Sequence, residues 1–406
     1  MKKHLVLAAA ALFAGSMALS AQMSVVKEAE RAQKSGAPAA EVVSAITPAF
    51  TNPETAQMAQ VYYIPGKAMF AEYDKLFGLK SLGKLGEGDG KKMSDDLLEG
   101  YGFYIKALPL DSMPDAKGKI KPKYSKDMVN TITGHASDFN DAALTYWELK
   151  DYKGAYKAWD TYLNLFENEP FKGKMPAVAD TILGEIYFNQ ALAAWQADML
   201  QEALNSFDNA RNRGYNKKQL YDYALGVASN LKDNDQIYKW ATRGNEAYGK
   251  EDPNYLGYII NTYLQNKEFD KAFSTIDEAI ANDPNNSQYY FVKGVLYDNQ
   301  DKKAEAKAMF KKALELNPEN VQALTQYGAS LCNEAYKLGD EAPTTVAESQ
   351  AYFEQKIRPL FEEAAIYLEK AWQLDNENLD ALRYLDNIYY NLRDEQKQNE
   401  IKARML

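Results

Sequence analysis

Apolar residues recur three and four positions apart over 288–300 and again over 304–316, with a short polar break between. That spacing is the period of a helix with one buried face, so the two stretches predict a pair of helices of about 13 residues each. In "AEAKAMFKKALELNPEN" (304–320) the small residues Ala306 and Ala313 bracket Phe310, and the run stops at Pro318, which cannot continue a helix. Thirty-four residues earlier the same places hold Ala272, Ile276, Ala279 and Pro284. In the first helix of the pair, Gly294 and Tyr297 answer to Ile260 and Tyr263, and Gly294 also answers to Gly328.

This arrangement has a physical meaning. Helices this short are marginal alone, and one pair cannot bury its own apolar face. Small residues at Gly294 and Ala306 would let two antiparallel helices approach, with Phe310 and Tyr297 filling the space around them. Stacking in series then buries what each pair leaves exposed. Looser frames extend the pattern upstream, with Ala143, Tyr146, Ala155 and Trp159 in one unit and Ala191, Ala203, Phe207 and Ala210 in the next. The unit at 219–252 keeps Gly226 but has Tyr238 and Asn245 where small residues belong, so its second helix is expected to pack differently. Downstream, "LNPENVQAL" (316–324) is echoed by "LDNENLDAL" (374–382), which places an insertion of about 24 residues at 339–362 between the helices of one unit.

These residues and the period of 34 resemble the tetratricopeptide repeat (TPR). The whole chain, with its repeats, late insertion and "PDAKGKIKPKY" stretch, resembles exported TPR proteins of the kind common in Bacteroidetes. The resemblance implies an all-α fold, a right-handed α-solenoid of stacked antiparallel helix pairs, and a binding or scaffolding role. The expected organisation is a signal peptide (1–21), a divergent helical region (22–124), degenerate units (125–252), well-matched units (253–318), the unit with the insertion (319–378) and capping helices (379–406).

Charge and composition narrow the function. The chain has 406 residues and a formal net charge of -10, which argues against nucleic acid, since phosphate recognition needs a basic face. Lys2 and Lys3 followed by the apolar run 5–19 and "SAQ" read as a secretory signal with cleavage expected after Ala21. Loss of those two lysines would take the net charge to -12. The expected location is the periplasm, with the cell surface or the medium as alternatives.

Candidate chemistry is sparse. Beyond the expected signal there is one histidine, His135, and in the whole chain one cysteine, Cys332. A Ser-His or Cys-His arrangement needs a histidine beside a nucleophile, and "TITGHASDFN" (131–140) reads instead as a helix start. Zinc needs clustered His and Cys, and the acidic turns at 233–236 and 298–305 lack the spacing of a calcium loop. No enzyme activity, cofactor or metal is expected, and Cys332 reads as a small apolar residue near an interface.

In TPR proteins the first helix of each pair lines a concave groove, and the resemblance implies the same here. Four positions after the small residue of that helix stand Trp147, Trp195, Asn230 and Asp298; three before it stand Asn140, Phe188, Tyr223 and Phe291. Either these rings line the groove or they pack between neighbouring helices. Lys and Arg are absent from both sets, so a basic clamp for a terminal carboxylate is not expected. The expected partner is a protein or peptide held by apolar anchors; the alternative is a glycan stacked on the aromatic rings.

Overall fold

The computed structural model describes residues 23–114 and 118–405. The expected signal peptide at 1–21 lies outside the described residues. Among those residues the secondary structure is helical, and the one extended pairing is an isolated bridge between Pro114 and Ile120. The chain forms two compact units, divided between Leu220 and Tyr221.

The first unit opens with α1 (23–34) and α2 (Ala39–Thr51). The long helices α3 (Ala59–Ser81) and α4 (Asp89–Asp111) then pack along each other, with Phe70 on Tyr104 at 5.1 Å between ring centres. A short α5 (Ser125–Gly134) leads to α6 (Ala136–Glu148) and α7 (Tyr152–Glu167), and then to α8 (Asp180–Gln196) and α9 (Leu200–Asn212).

The division of the chain falls in α10 (Lys218–Leu231). The second unit continues with α11 (Asn234–Tyr248), α12 (Asn254–Gln265), α13 (Phe269–Asn282), α14 (Ser287–Asn299), α15 (Lys303–Leu316) and α16 (Val321–Asp340). After α17 (Val346–Tyr352) and a π turn (Phe353–Ile357) come α18 (Arg358–Leu374), α19 (Leu379–Leu392) and α20 (Glu395–Met405). The fold is all-α and built of helix pairs stacked in series within each unit. The most extensive of these packings is α3/α4, followed by α16/α18, α14/α15, α8/α9 and α6/α7.

One turn closes most pairs. Lys150, Asp198, Lys232, Lys267, Asp301 and Arg393 each adopt a left-handed conformation, with φ between 55° and 60°. The next N–H donates five residues back: Asp151 to Tyr146 O at 2.8 Å, Glu268 to Tyr263 O at 2.7 Å and Lys302 to Tyr297 O at 3.0 Å. This is the reverse-turn closure that glycine usually supplies. Here no glycine is used, so nothing at these positions marks the turn in the sequence.

Asparagines open the repeats at the other end. The Asn320 carboxamide oxygen accepts the Ala323 N–H at 3.0 Å, and Asn378 does the same for Ala381 at 3.0 Å. Each also donates to the first helix of the preceding pair: Asn320 Nδ2 to Ser287 Oγ at 3.1 Å, Asn378 Nδ2 to Thr325 Oγ1 at 2.9 Å. The echo between "LNPEN" and "LDNEN" is therefore one cap used twice. Within 339–362, α16 runs on through Asp340, and the break at Pro343 separates it from α17. Pro359 stands in the first turn of α18, directly after the π turn.

The connection 112–124 is anchored from below. The buried Asp111 carboxylate accepts the N–H groups of Lys123 (3.0 Å), Tyr124 (2.8 Å) and Ser125 (2.6 Å), and the Ser125 hydroxyl at 2.7 Å. Burial alone would raise its pKa, but these donors outweigh burial and hold it below the ordinary carboxylate value.

Close approach is built into the pairs. A Cβ on Gly294 would stand 2.5 Å from Phe310 Cε1, so the fully buried Phe310 ring lies directly on the backbone of α14. Gly294→Ala is expected to destabilise the protein by about 1–3 kcal/mol through overpacking. In a double-mutant cycle with Phe310→Leu the two losses should fall short of additive; additivity would mean that the two positions do not meet. The Asp111 anchor predicts a pH dependence. A lowered folded pKa contributes stability that is complete above about 3.9 and lost as pH falls through the folded value. Asp111→Asn should cost about 1.5–3 kcal/mol at neutral pH and flatten the acid limb of the stability profile, measured by urea unfolding from pH 2 to 7.

Candidate functional site

The first helices of the pairs carry the expected site residues, four in each compact unit. In the first unit, α6 holds Asn140 and Trp147, and α8 holds Phe188 and Trp195. In the second, α10 holds Tyr223 and Asn230, and α14 holds Phe291 and Asp298.

Asn140 and Trp147 are brought together by a third residue. Trp159 on α7 is buried and donates its indole N–H to Asn140 Oδ1 at 3.0 Å. Trp147 leans on the same indole at 6.3 Å between centres and meets Tyr152 edge-on at 5.2 Å. Trp147 and Trp195 are half-buried. Phe188, expected to line the groove, is only 6% exposed. It stacks on Tyr215 at 4.6 Å and tilts against Phe207 at 5.8 Å, so its ring belongs to the packing of α8 on α9.

In the second unit Phe291 is half-buried and tilts against Phe310 at 5.8 Å. Tyr223 is half-buried and Asn230 is exposed. The Asp298 carboxylate pairs with Lys303 Nζ at 2.9 Å, across the turn that closes the pair.

A single spacing explains these placements. Asn140 and Trp159, Phe188 and Phe207, and Phe291 and Phe310 are each 19 residues apart. Every one is a contact from the first helix to the second. At about 100° per residue, the position three before the small residue lies about 60° from it and the position four after it about 40°. Both therefore share the side that faces the second helix, and only their outer parts are available to a ligand.

The remaining candidates for chemistry are also accounted for. His135 sits between α5 and α6, with Nδ1 2.8 Å from Asp138 Oδ2 and Nε2 3.5 Å from Asp74 Oδ1. Its ring stacks on Phe70 at 5.3 Å and takes Tyr73 edge-on at 5.2 Å. Cys332 is fully buried, and burial pushes its thiol up to about 12. Among the described residues no group of three or more His, Cys, Asp or Glu could hold a metal ion, and no helix is long and apolar enough to cross a membrane.

Comparison with known proteins gives one family match: residues 287–320, beginning at the first residue of α14, match the tetratricopeptide repeat. The chain carries a TPR over these residues. No curated protein matches it. Among solved structures it is similar to the C-terminal part of a TPR repeat-containing protein from Cytophaga hutchinsonii, with 16% identity over 73% of this chain and 99% of that one and a TM-score of 0.38. A TPR repeats protein from Bacteroides fragilis gives 17% identity over 67% and 99%, with a TM-score of 0.32. YrrB, described as a TPR protein with an unusual peptide-binding site, gives 19% over 51% and 98%, with a TM-score of 0.30.

Two substitutions separate packing residues from ligand-facing ones. Phe188→Ala is expected to cost about 3–5 kcal/mol, as a buried aromatic truncation. Asn230→Ala should change stability by less than about 0.5 kcal/mol. Denaturant unfolding of both variants measures the contrast, and equal small effects would put Phe188 on a free surface.

Proposed function

We propose that this chain is a non-catalytic, exported scaffold that binds a protein or peptide partner through the outward faces of its repeat helices, in the periplasm or at the cell surface. The observation that carries the reading is the repeat itself. Residues 287–320 match the TPR, and the same cap, turn and cross-helix contact recur along the chain. The first helices of the pairs carry half-buried aromatics, here Trp147, Trp195, Tyr223 and Phe291. Large half-buried rings lose little freedom on binding and supply much of the energy at protein interfaces. Export rests on the basic start and apolar run of residues 1–21.

Crosslinking in intact cells, followed by purification, should enrich a defined partner. The Trp147→Ala/Trp195→Ala variant should weaken its capture; loss of about 2 kcal/mol at an anchor corresponds to roughly 30-fold in affinity. Recovery of the chain from the cytoplasm with residues 1–21 still attached would overturn export. Glycan-array binding abolished by the same double variant, with no protein enriched, would replace the peptide reading by sugar recognition.

A further inference from the structure

The first unit contains a cavity of about 720 Å3 that lies outside the repeat helices considered above. Its floor and walls are apolar: Ile105 and Leu108 at the end of α4, Val129 on α5, and Phe171 in the connection between α7 and α8. The volume is that of a ligand pocket.

Two departures from the repeat build it. The first is the connection 112–124, tied down at Asp111 and pinched by the Pro114–Ile120 bridge. The second is the connection 168–179. Lys150 and Asp198, the equivalent turn residues of successive pairs, are 48 apart, whereas Lys267 and Asp301 are 34 apart. The extra chain folds on itself, with Phe171 N–H to Asn168 O at 3.0 Å and Lys174 N–H to Phe171 O at 2.9 Å. Arg213 fixes its two ends by pairing with Glu167 and, at 2.6 Å, with Asp180. Stacking of helix pairs needs neither excursion, yet Ser112 of the first and Glu169, Pro170, Phe171 and Lys174 of the second line this cavity.

The cavity lining holds two lysines and one carboxylate, the reverse of the balance in the whole chain. Residues 118–126 hold four lysines and no acid, and 170–174 add Lys172 and Lys174, in a protein of net charge -10. Lys126 and Lys174 line the cavity from opposite elements, α5 and the 168–179 connection, and Glu169 is the one acidic residue in the lining. Nearby, Asp111 is taken up by its four donors, and Asp127 accepts from Tyr63 Oη at 2.7 Å and pairs with Lys67 at 3.5 Å. Ser112 and Asn130 add hydrogen-bonding groups at the edge. Exposed apolar surface continues along the chain at Met113, 53% exposed, and Ile120, 60% exposed.

We infer that this cavity docks an acidic peptide segment of a partner protein, inserting one or two bulky apolar side chains flanked by Asp or Glu. The apolar walls take the side chains, the separated lysines take carboxylates on both flanks, and Ser112 and Asn130 are placed for backbone amides. A fatty acid would bring one carboxylate and no amide, and would leave these groups unused. The site is separate from the repeat-helix faces and holds or fails independently of the proposed function.

The test is selection of twelve-residue peptides from a random library on the intact protein at low salt, with the selected peptide then made synthetically and titrated by fluorescence anisotropy. The expected peptides carry Leu, Phe or Ile flanked by Asp and Glu. Affinity should fall at least tenfold in Lys126→Glu/Lys174→Glu and at least tenfold in Ile105→Glu, at a residue that is 37% exposed. Salt should weaken binding to the native protein and not to the lysine variant. Trp147→Ala/Trp195→Ala should leave it unchanged. Peptides without acidic bias, unchanged affinity in the lysine variant, or loss of binding in the tryptophan variant would each overturn the inference. So would tight binding of palmitate that the Ile105 variant abolishes while no peptide is selected.

Discussion

A helix of 12 to 16 residues is too short to persist alone in water, and most of the repeat helices here are of that length. The structure therefore depends on the contact between the two helices of a pair, made 19 residues apart in sequence. It recurs as Asn140 with Trp159, Phe188 with Phe207 and Phe291 with Phe310; Tyr221 and Trp240 repeat the separation at 6.4 Å. The separation stays fixed because a single left-handed residue closes the turn. One more or one fewer residue there would rotate the second helix by about 100° and turn its apolar face away. The partner can vary from ring–ring to indole–carboxamide because the constraint is on register and volume, and not on one chemistry.

Where the period held, the fold was legible from the residues. Ala272, Ile276 and Ala279 against Ala306, Phe310 and Ala313 give helices and register directly, and Gly294 meets Phe310 as a small residue facing a large one should. The turns were not legible, because Lys267 and Asp301 occupy a conformation that glycine usually advertises. The unit at 219–252 was flagged by Tyr238 in a small-residue position, and Tyr238 there hydrogen-bonds and tilts against Tyr263 of α12, whose hydroxyl lies 2.9 Å away. The site was legible only in part. Counting positions from the small residue finds the side of a helix, but the groove side and the partner-helix side overlap within about 60°, so both readings of Phe188 stand in the sequence and its burial decides for packing.

The cavity between α4, α5 and the 168–179 connection could not be read from any periodicity. Its lining runs from Ile105 to Lys174, 69 residues apart in sequence, and belongs to no repeat frame. The signal for it lies in a lysine-rich, proline-containing stretch in an acidic protein, and in the 48 residues between Ala143 and Ala191 where Ala272 and Ala306 are 34 apart. Both are irregularities, and a search for regularity discards them.

That contrast bears on where such a protein can carry specificity. The positions that make pairs stack are saturated by packing: Phe310 against the Gly294 backbone, Trp159 held by Asn140, Asn320 both capping α16 and tying back to Ser287. A change at any of them alters stability first, because each has a buried partner left unsatisfied or displaced. The connections are under no such constraint. Their ends are pinned, by Asp111 at one and by Arg213 at the other, and Phe171 is buried, while Lys172 and Lys174 beside it are exposed and can differ without disturbing the stack. Recognition is therefore expected to concentrate in the accessible halves of the helix aromatics and in the two excursions that leave the repeat.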